Sequence, residues 1–204
     1  MLRHDKFLFD LDGVIVDTKD IQVSSTIAAI EKICRVKILD TKLIESTITT
    51  REKLKLLSLE GLIDQDQIDL IYNCKKEIAE QMMLEMNPEH YQDKRQIFEF
   101  ILLNKGRFSV VTNANKSTSQ MILDHLQISG YDLLVTNQDV KNTKPSSEPY
   151  ITAMLKMGGH IRDYLIFEDS EVGLASARGT GADVFFVSDC KLLNMQKFIE
   201  ADKT

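Results

Sequence analysis

FDLDGVIVDT, residues 9–18, places two aspartates, Asp10 and Asp12, directly after the apolar run Lys6–Phe9. In an extended chain, residues i and i+2 point to the same side, so both carboxylates can face one site. Gly13 follows them and permits a sharp turn of the backbone. By itself, a D-x-D-G sequence more often indicates an Asx turn with two solvated aspartates. The pair therefore indicates a functional site only in combination with features elsewhere in the chain.

Five short apolar runs predict the strands of a buried parallel sheet. The runs are continuous rather than alternating, which is typical of strands covered on both faces. Helical patterns separate the later runs, such as Tyr150, Ile151, Met154 and Leu155 before the stop at Gly158. This alternation predicts an α/β fold with a doubly wound, Rossmann-like parallel sheet, which binds ligands beyond the carboxyl ends of its strands. The runs are Lys6–Phe9, Ser109–Thr112, Leu133–Thr136, Tyr164–Phe167 and Val184–Val187.

The segment between the first two runs is too long for a single crossover and is mostly helical in pattern. Two sets of apolar residues recur there at helical spacing: Val23, Ile27, Ile30 and Cys34, then Ile71, Cys74, Ile78 and Met82. These faces predict a small α-helical domain inserted at residues 19–87, with Asn87-Pro88 as the return hinge. Residues 1–18 and 88–204 would then form the Rossmann-like core domain.

Composition limits the classes of function. The 204 residues are 43% apolar and carry a net charge of −6, which favours a globular chain and argues against a nucleic-acid surface. The three cysteines, Cys34, Cys74 and Cys190, have no metal-ligand spacing and indicate a reducing compartment. Neither a signal region nor an apolar stretch of membrane-spanning length is evident. We therefore expect a cytoplasmic protein without a membrane or nucleic-acid partner.

Polar residues follow three later runs of the predicted sheet. Thr112 and Asn113 supply a hydroxyl and backbone N–H groups at the end of the second run. Lys144 precedes Pro145, which favours an extended backbone and a side chain able to reach a phosphate. Each feature alone is typical of a turn or a solvated loop, but parallel strands bring all of their carboxyl ends to one edge of the sheet.

Glu168 and Asp169 end the fourth run as two adjacent acids after four apolar residues. The two carboxylates repel each other unless they share a cation or a water molecule, although an isolated acid pair more often marks a helix N-cap. Hard oxygen ligands favour Mg²⁺, which keeps several waters and takes one or two carboxylates. The pair therefore predicts a magnesium site.

The four features in this order resemble the haloacid dehalogenase superfamily, with a helical cap inserted after the first motif. Its motifs are matched by Asp10 with Asp12, by Thr112, by Lys144, and by Glu168 with Asp169. The sequences FDLDGVIVDT and FEDSEVG are similar to the corresponding motifs of the branch that contains β-phosphoglucomutase and sugar-phosphate phosphatases. The resemblance covers the whole chain.

This resemblance implies a Mg²⁺-dependent phosphatase that acts on a small phosphorylated metabolite, a sugar phosphate above all. Asp10 would attack phosphorus to form an aspartyl phosphate, and Asp12 would serve as general acid and base. Asp10, the Asp12 backbone carbonyl and Asp169 would hold Mg²⁺, with Glu168 acting through water. Thr112, the Asn113 N–H group and Lys144 would bind the phosphoryl oxygens.

The inserted helical domain suggests alternatives to hydrolysis. Arg51 falls where the β-phosphoglucomutase pattern has an arginine that grips a second phosphate, although a solvated arginine at a helix start fits equally well. Gln22 and Thr47-Ile48 replace a histidine and a lysine-glycine pair of the mutase pattern, which favours a phosphatase over the alternative mutase. A non-catalytic phosphate-binding protein or a receiver-like regulatory protein is a further alternative. The complete set of motif residues disfavours the first, and the insert and the second acid pair disfavour the second. Gly179 departs from the alanine usual in the last motif's helix, and we expect it to loosen that helix.

Overall fold

The computed structural model describes residues 2–46 and 48–203. The chain divides into two compact units, Met1–Asp17 with Asn87–Thr204 and Thr18–Met86, called here the core unit and the helical unit. The bounds of 19–87 proposed from sequence differ from those of the helical unit by one residue at each end.

The core unit is built on a parallel sheet of five strands in the order β3-β2-β1-β4-β5. The chain builds outward from β1 through β2 and β3, then crosses to the other side of β1 for β4 and β5. The first strand therefore borders the point where the strand order reverses, which is where such sheets bind ligands. The predicted doubly wound α/β fold is confirmed. The strands are β1 (Lys6–Phe9), β2 (Arg107–Val111), β3 (Leu134–Val135), β4 (Tyr164–Glu168) and β5 (Asp183–Phe186).

Helices follow or precede these strands throughout the chain. The helices are α1 (Lys19–Cys34), α2 (Lys42–Glu45), α3 (Thr50–Leu59), α4 (Ile68–Leu84), α5 (Gln92–Leu103), α6 (Lys116–His125), α7 (Glu148–Met157), α8 (Glu171–Arg178) and α9 (Met195–Lys203), with 3₁₀ turns at Gln65–Gln67, Pro88–Tyr91, Ile161–Asp163 and Cys190–Leu192. Within residues 2–46 and 48–203, none of the helices is both long enough and apolar enough to cross a membrane.

One face of the sheet is covered by aromatic packing against α5 and α9. Phe9 of β1 lies edge-on to Phe98 of α5, with ring centroids 5.1 Å apart. Phe167 of β4 stacks on Phe198 of α9 at 5.7 Å. Aromatic rings bury large apolar areas, so these contacts are a major source of stability on this face.

The other face packs against α7 and α8. Leu8, which alternates with Phe7 and Phe9 along β1, lies in a buried cluster with Tyr150 of α7 and Ala177 of α8. Because successive side chains of a strand point to opposite faces, a continuous apolar run is required to fill both layers. The central strands β1 and β4 meet this expectation, since all of their residues are buried.

Two details differ from the sequence-based expectation. Strand β5 lies at the edge of the sheet and is only partly covered, and Phe186 is half-exposed. Helix α7 buries Tyr150, Ala153 and Met157, whereas the predicted residues Ile151 and Leu155 are exposed. The apolar pattern failed here because small Ala153 belongs to the buried face while two large apolar side chains do not.

The helical unit has a hydrophobic core of its own, formed by residues from α1, α2, α3 and α4. Ile30 of α1 and Ile71 of α4 are completely buried there, and Cys34 and Ile78 pack against them partly buried. The N-terminus of α3 is fixed by a capping box between Thr49 and Glu52.

Candidate active site

A cleft of about 270 Å³ opens at the carboxyl ends of the central strands. Six residues singled out from the sequence line it: Asp10, Asp12, Thr112, Asn113, Lys144 and Asp169. The other lining residues are Ala114, Ser170, Val172 and Gly173. The structure thus brings together the six predicted residues, which are up to 159 positions apart in the chain.

The loop after β1 is folded tightly against the end of β4. The Asp10 N–H group donates to the Phe167 carbonyl at 3.0 Å, which continues the sheet pairing one residue beyond the strand. Gly13 adopts a φ of +83° and donates to the Val16 carbonyl at 2.6 Å. A side chain at position 13 would place its Cβ 2.0 Å from Asp169 Oδ2, so glycine is needed both for the turn and for this close approach.

Lys144 is the centre of the site. Its ammonium group is buried and donates to Asp10 Oδ1 at 2.8 Å, to Glu168 Oε1 at 2.6 Å and to the Val111 carbonyl at 2.8 Å. The Tyr150 hydroxyl lies 2.9 Å from the same nitrogen. The lysine therefore compensates two buried carboxylates from two different strand ends, a requirement for keeping both in the protein interior.

The acidic groups of the cleft have raised pKa values. Burial, with a smaller contribution from Glu168, raises the pKa of Asp10 to about 7 despite the opposing effect of Lys144. Burial and Glu168 also raise the pKa of Asp169 to about 6. Burial acts to lower the pKa of Lys144, but Asp10 and Glu168 outweigh it and raise that pKa. The site thus holds more negative charge than one lysine neutralises.

This surplus of acid fits a cation. One carboxylate oxygen each from Asp10, Glu168 and Asp169 lies within 4.8 Å of the others. Asp10 and Asp169 line the cleft, as does Asp12. Hard carboxylate donors with raised pKa values suit a divalent cation that prefers oxygen ligands.

Thr112 and Asn113 stand at the end of β2. Thr112 is buried, and its hydroxyl accepts from the Ala114 N–H group at 3.1 Å, so its own hydrogen can be donated. The Asn113 carboxamide makes two reciprocal hydrogen bonds with the backbone of Lys144: it donates to the Lys144 carbonyl at 3.2 Å and accepts from the Lys144 N–H group at 3.0 Å. This side chain therefore ties the end of β2 to the loop that carries the lysine.

Glu168 is completely buried beneath the cleft. Its Oε1 accepts from Lys144 and from the Tyr150 hydroxyl at 2.7 Å, and its Oε2 accepts from the Asp169 N–H group at 3.1 Å. Both carboxylate oxygens are thus held by the protein. This arrangement suits a residue that orients its neighbours.

Gly173, in the first turn of α8, makes room for this carboxylate. A Cβ at position 173 would lie 1.9 Å from Glu168 Oε2 and 2.1 Å from Oε1. Because the hydrogen bonds of Glu168 restrict its movement, Gly173→Ala is expected to lower the free energy of unfolding by about 1–3 kcal/mol through overpacking. In a helix without this clash, the same change would stabilise by about 1 kcal/mol. Urea denaturation shows whether Gly173→Ala lowers or raises the free energy of unfolding.

A double-mutant cycle identifies the cause. Shortening the acid in Glu168→Asp withdraws its carboxylate from α8, so Gly173→Ala should be less destabilising in that background than in the wild type. If alanine at position 173 raised the stability of the otherwise unchanged protein, the close approach to Glu168 would not be what requires glycine.

The predicted residues of the helical unit lie in contacts of their own. The Arg51 guanidinium donates to Asp69 at 2.7 Å and stacks over the Tyr72 ring, 4.4 Å from its centroid, while the side chain remains half-exposed. Gln22 accepts a hydrogen bond from the Lys75 ammonium group. Thr47 lies outside the described residues, so its part in the mutase comparison is not addressed by the structure.

The expectation for Gly179 is wrong. Helix α8 ends at Arg178, and Gly179 follows it as the C-cap. The residue therefore does not weaken a helix interior. A Cβ there would lie 2.1 Å from Ser147 Oγ, so the absent side chain provides space for the segment before α7.

Sequence reasoning missed Tyr150 and Gly173. Tyr150 belongs to the apolar face of α7 and was assigned to the helix pattern alone, although a phenol buried in a core requires a polar partner. Gly173 stands five residues after Glu168 in the IFEDSEVG segment. A glycine in the first turn of a helix that begins beside two acids was the available signal for close packing.

Comparisons with known proteins give a family match and several relatives. The sequence model of the family described as haloacid dehalogenase-like hydrolase matches residues 7–187. A phosphorylated carbohydrates phosphatase of Thermotoga maritima is 25% identical over 183 residues, covering 86% of this chain and 81% of that protein. A fructose-1-phosphate phosphatase of Escherichia coli, YqaB, is 29% identical over 76 residues, which cover 37% of this chain and 40% of that protein.

Solved structures show the same fold. A β-phosphoglucomutase of Clostridium difficile superposes with a TM-score of 0.74 at 18% identity, covering 98% of this chain and 97% of that one. A family hydrolase of Entamoeba histolytica superposes with a TM-score of 0.78 at 15% identity, covering 98% of this chain and all of the other. Hydrolytic and isomerising proteins thus share this architecture, and the site residues must distinguish them.

Proposed function

This chain belongs to the haloacid dehalogenase-like hydrolases, and on that premise we propose that it is a Mg²⁺-dependent phosphatase that hydrolyses a small phosphorylated metabolite, a sugar phosphate, through an aspartyl phosphate on Asp10. The observation that carries the proposal is the ion pair of 2.8 Å between Asp10 and Lys144 in a cleft that Asp12 and Thr112 also line. A nucleophile, a proton donor and phosphate-binding donors then share one small volume.

In the first step, a carboxylate oxygen of Asp10 attacks phosphorus and forms an acyl phosphate as the bond to the leaving oxygen breaks. Asp12 gives its proton to that oxygen, so the product leaves as a neutral alcohol. Lys144 and the Thr112 hydroxyl donate to the phosphoryl oxygens, where positioned donors stabilise the charge of the transition state. The Asn113 N–H group is a further donor at the same strand end.

In the second step, water attacks phosphorus and the bond to Asp10 breaks, which restores the carboxylate. Asp12, now a carboxylate, accepts the proton of the attacking water and returns to its starting state. Splitting the hydrolysis into two displacements lowers the barrier of each. One residue serves both proton transfers because the leaving oxygen and the attacking water take the same position opposite Asp10.

The proposed Mg²⁺ would be held by Asp10, Asp169 and the backbone carbonyl of Asp12, with Glu168 acting through water. When bound, the cation neutralises negative charge where a carboxylate approaches a phosphate. Burial, together with the neighbouring Glu168, raises the pKa values of Asp10 and Asp169, and such a cation would offset this cost of holding several carboxylates in the cleft.

The experiment is a phosphate-release assay with purified protein and Mg²⁺ on hexose phosphates, phosphoglycolate and nucleotides. We expect inorganic phosphate from at least one sugar phosphate, and we expect EDTA to reduce the rate to the level of the buffer alone. The similarity to a phosphorylated carbohydrates phosphatase supports starting with sugar phosphates. Failure to hydrolyse any phosphomonoester would contradict the proposal.

A parallel assay separates hydrolysis from isomerisation. β-Glucose 1-phosphate is supplied with a sugar bisphosphate primer, and glucose 6-phosphate and inorganic phosphate are both followed. Interconversion without net release of phosphate would replace the phosphatase with a mutase. Gln22, held by Lys75 where the mutase pattern has a histidine, supports the hydrolytic outcome.

A further inference from the structure

The Lys144 ammonium group has more acceptors than protons. Four oxygens surround its nitrogen, from Asp10, Glu168, Tyr150 and the Val111 carbonyl, whereas an ammonium has three N–H donors. The orientation of the three donors therefore decides which of the four oxygens accept a hydrogen bond. That orientation matters for the proposed function, since a phosphoryl oxygen entering the cleft needs one of them.

Tyr150 resolves this competition. Its hydroxyl donates its own hydrogen to Glu168 Oε1 at 2.7 Å and offers a lone pair to Lys144 at 2.9 Å. Because these two oxygens are adjacent, a single N–H group can point between them, while a second points to the Val111 carbonyl at 2.8 Å. The third N–H group is then directed to Asp10, the member of the set that lines the cleft.

The other end of the lysine is fixed by Asn113. Its carboxamide makes two hydrogen bonds with the Lys144 backbone, at 3.0 and 3.2 Å, across 31 residues of sequence. Asn113 is exposed at the end of β2, so its side chain is not required to fill the hydrophobic core. The side chain between these two anchors has little freedom left to turn away from the cleft.

We propose that Tyr150 and Asn113 are positioning residues for Lys144, Tyr150 by orienting its ammonium group and Asn113 by holding its backbone, so that the N–H group directed to Asp10 also faces the phosphoryl group that is transferred to this aspartate. The inference rests on the proposed phosphatase function. Neither residue forms or breaks a bond in the reaction. Their contribution is to fix a donor in the place where charge develops, which raises kcat more than it lowers KM.

The test compares Tyr150→Phe with Tyr164→Phe. Both tyrosines are buried in the same cluster, but the Tyr164 hydroxyl bonds to the carbonyls of Met154 and Gly158 instead of Lys144. We expect Tyr150→Phe to lower kcat about tenfold with KM changed less than about twofold, and Tyr164→Phe to leave kcat within about twofold of the wild type. Thermal melting shows whether both variants are folded.

Orthovanadate and inorganic phosphate give a second readout. Vanadate takes the five-coordinate geometry of the transition state, so its inhibition constant should rise about tenfold in Tyr150→Phe while that of phosphate changes less than about twofold. A loss of packing alone would not separate the two inhibitors in this way.

Asn113→Ala tests the backbone anchor and remains decisive if Tyr150→Phe does not fold. It retains the N–H group at position 113 and should also lower kcat about tenfold, whereas Asn142→Ala, which removes a hydrogen bond to Glu148 in the same loop, should not. Wild-type kcat and vanadate inhibition in either variant would overturn the assignment of that residue while leaving the phosphatase proposal intact. An inactive wild type would instead overturn both.

Discussion

Asp10→Asn is expected to lower kcat by about 10⁴-fold or more, because an amide cannot take the place of the attacking carboxylate. The fold should be retained. Burial and the neighbouring Glu168 raise the pKa of Asp10 to about 7, so the folded core unit does not favour a charge at this position. The neutral amide can still accept from Lys144, so the free energy of unfolding near pH 7 should equal or exceed the wild-type value. Steady-state kinetics and urea denaturation check the two halves of this prediction.

A matched control is Asp132→Asn. Asp132 pairs with Arg107 at the start of β2, the end of the sheet opposite the cleft. This variant should keep kcat within about twofold of the wild type, since loss of an exposed ion pair has little effect elsewhere. Asp10→Asn retaining more than about 1% of wild-type kcat would show that water attacks phosphorus directly and would refute the aspartyl phosphate.

The fold follows from sequence because its central layers obey simple rules. A short continuous apolar run such as Lys6–Phe9 commonly forms one kind of structure, a strand that is buried on both faces. All four residues of that run are buried, with Phe7 and Phe9 on the aromatic face and Leu8 on the other. At the edges the rule weakens, and β5 is partly exposed although its apolar run is equally continuous.

The site follows from sequence to the extent that it depends on strand ends. Asp10, Thr112 and Asp169 each stand just after a strand, so a parallel sheet brings them to one edge whatever the details of the loops. The structure places all three in one cleft. Lys144 is different, since it lies on a loop after β3, and its position depends on contacts with Asn113 that no local pattern contains.

The remaining features arise from tertiary packing. The hydroxyl of Tyr150 meets Glu168 across 18 residues, and Gly173 is required by the depth at which that acid is buried. Neither the contact between Tyr150 and Glu168 nor the depth at which Glu168 is buried can be predicted from the periodicity or the motif spacing of the sequence. The pairing of Arg51 with Asp69 likewise depends on how α3 and α4 pack within the helical unit.

Lys144→Met is expected to affect stability and activity together. The lysine and Glu168 are almost completely buried, and their ion pair of 2.6 Å shares its ammonium group with Asp10. Removing one partner of a buried pair leaves an uncompensated charge, so the free energy of unfolding should fall by about 3–5 kcal/mol in the presence of EDTA. Loss of a phosphate-binding donor should also lower kcat/KM by about 10²–10³-fold with Mg²⁺ present.

The double variant Lys144→Met/Glu168→Gln separates these effects. With the glutamate neutralised, the interior no longer contains the charge that Lys144 compensated, and most of the lost stability should return. Activity should remain low, because the donor that faces the phosphoryl group is still absent. If kcat/KM recovered along with stability, Lys144 would act only by keeping two acids folded into the core unit. If neither recovered, the compensation of Glu168 would not be what the lysine contributes to stability, and Asp10 would be the partner that matters.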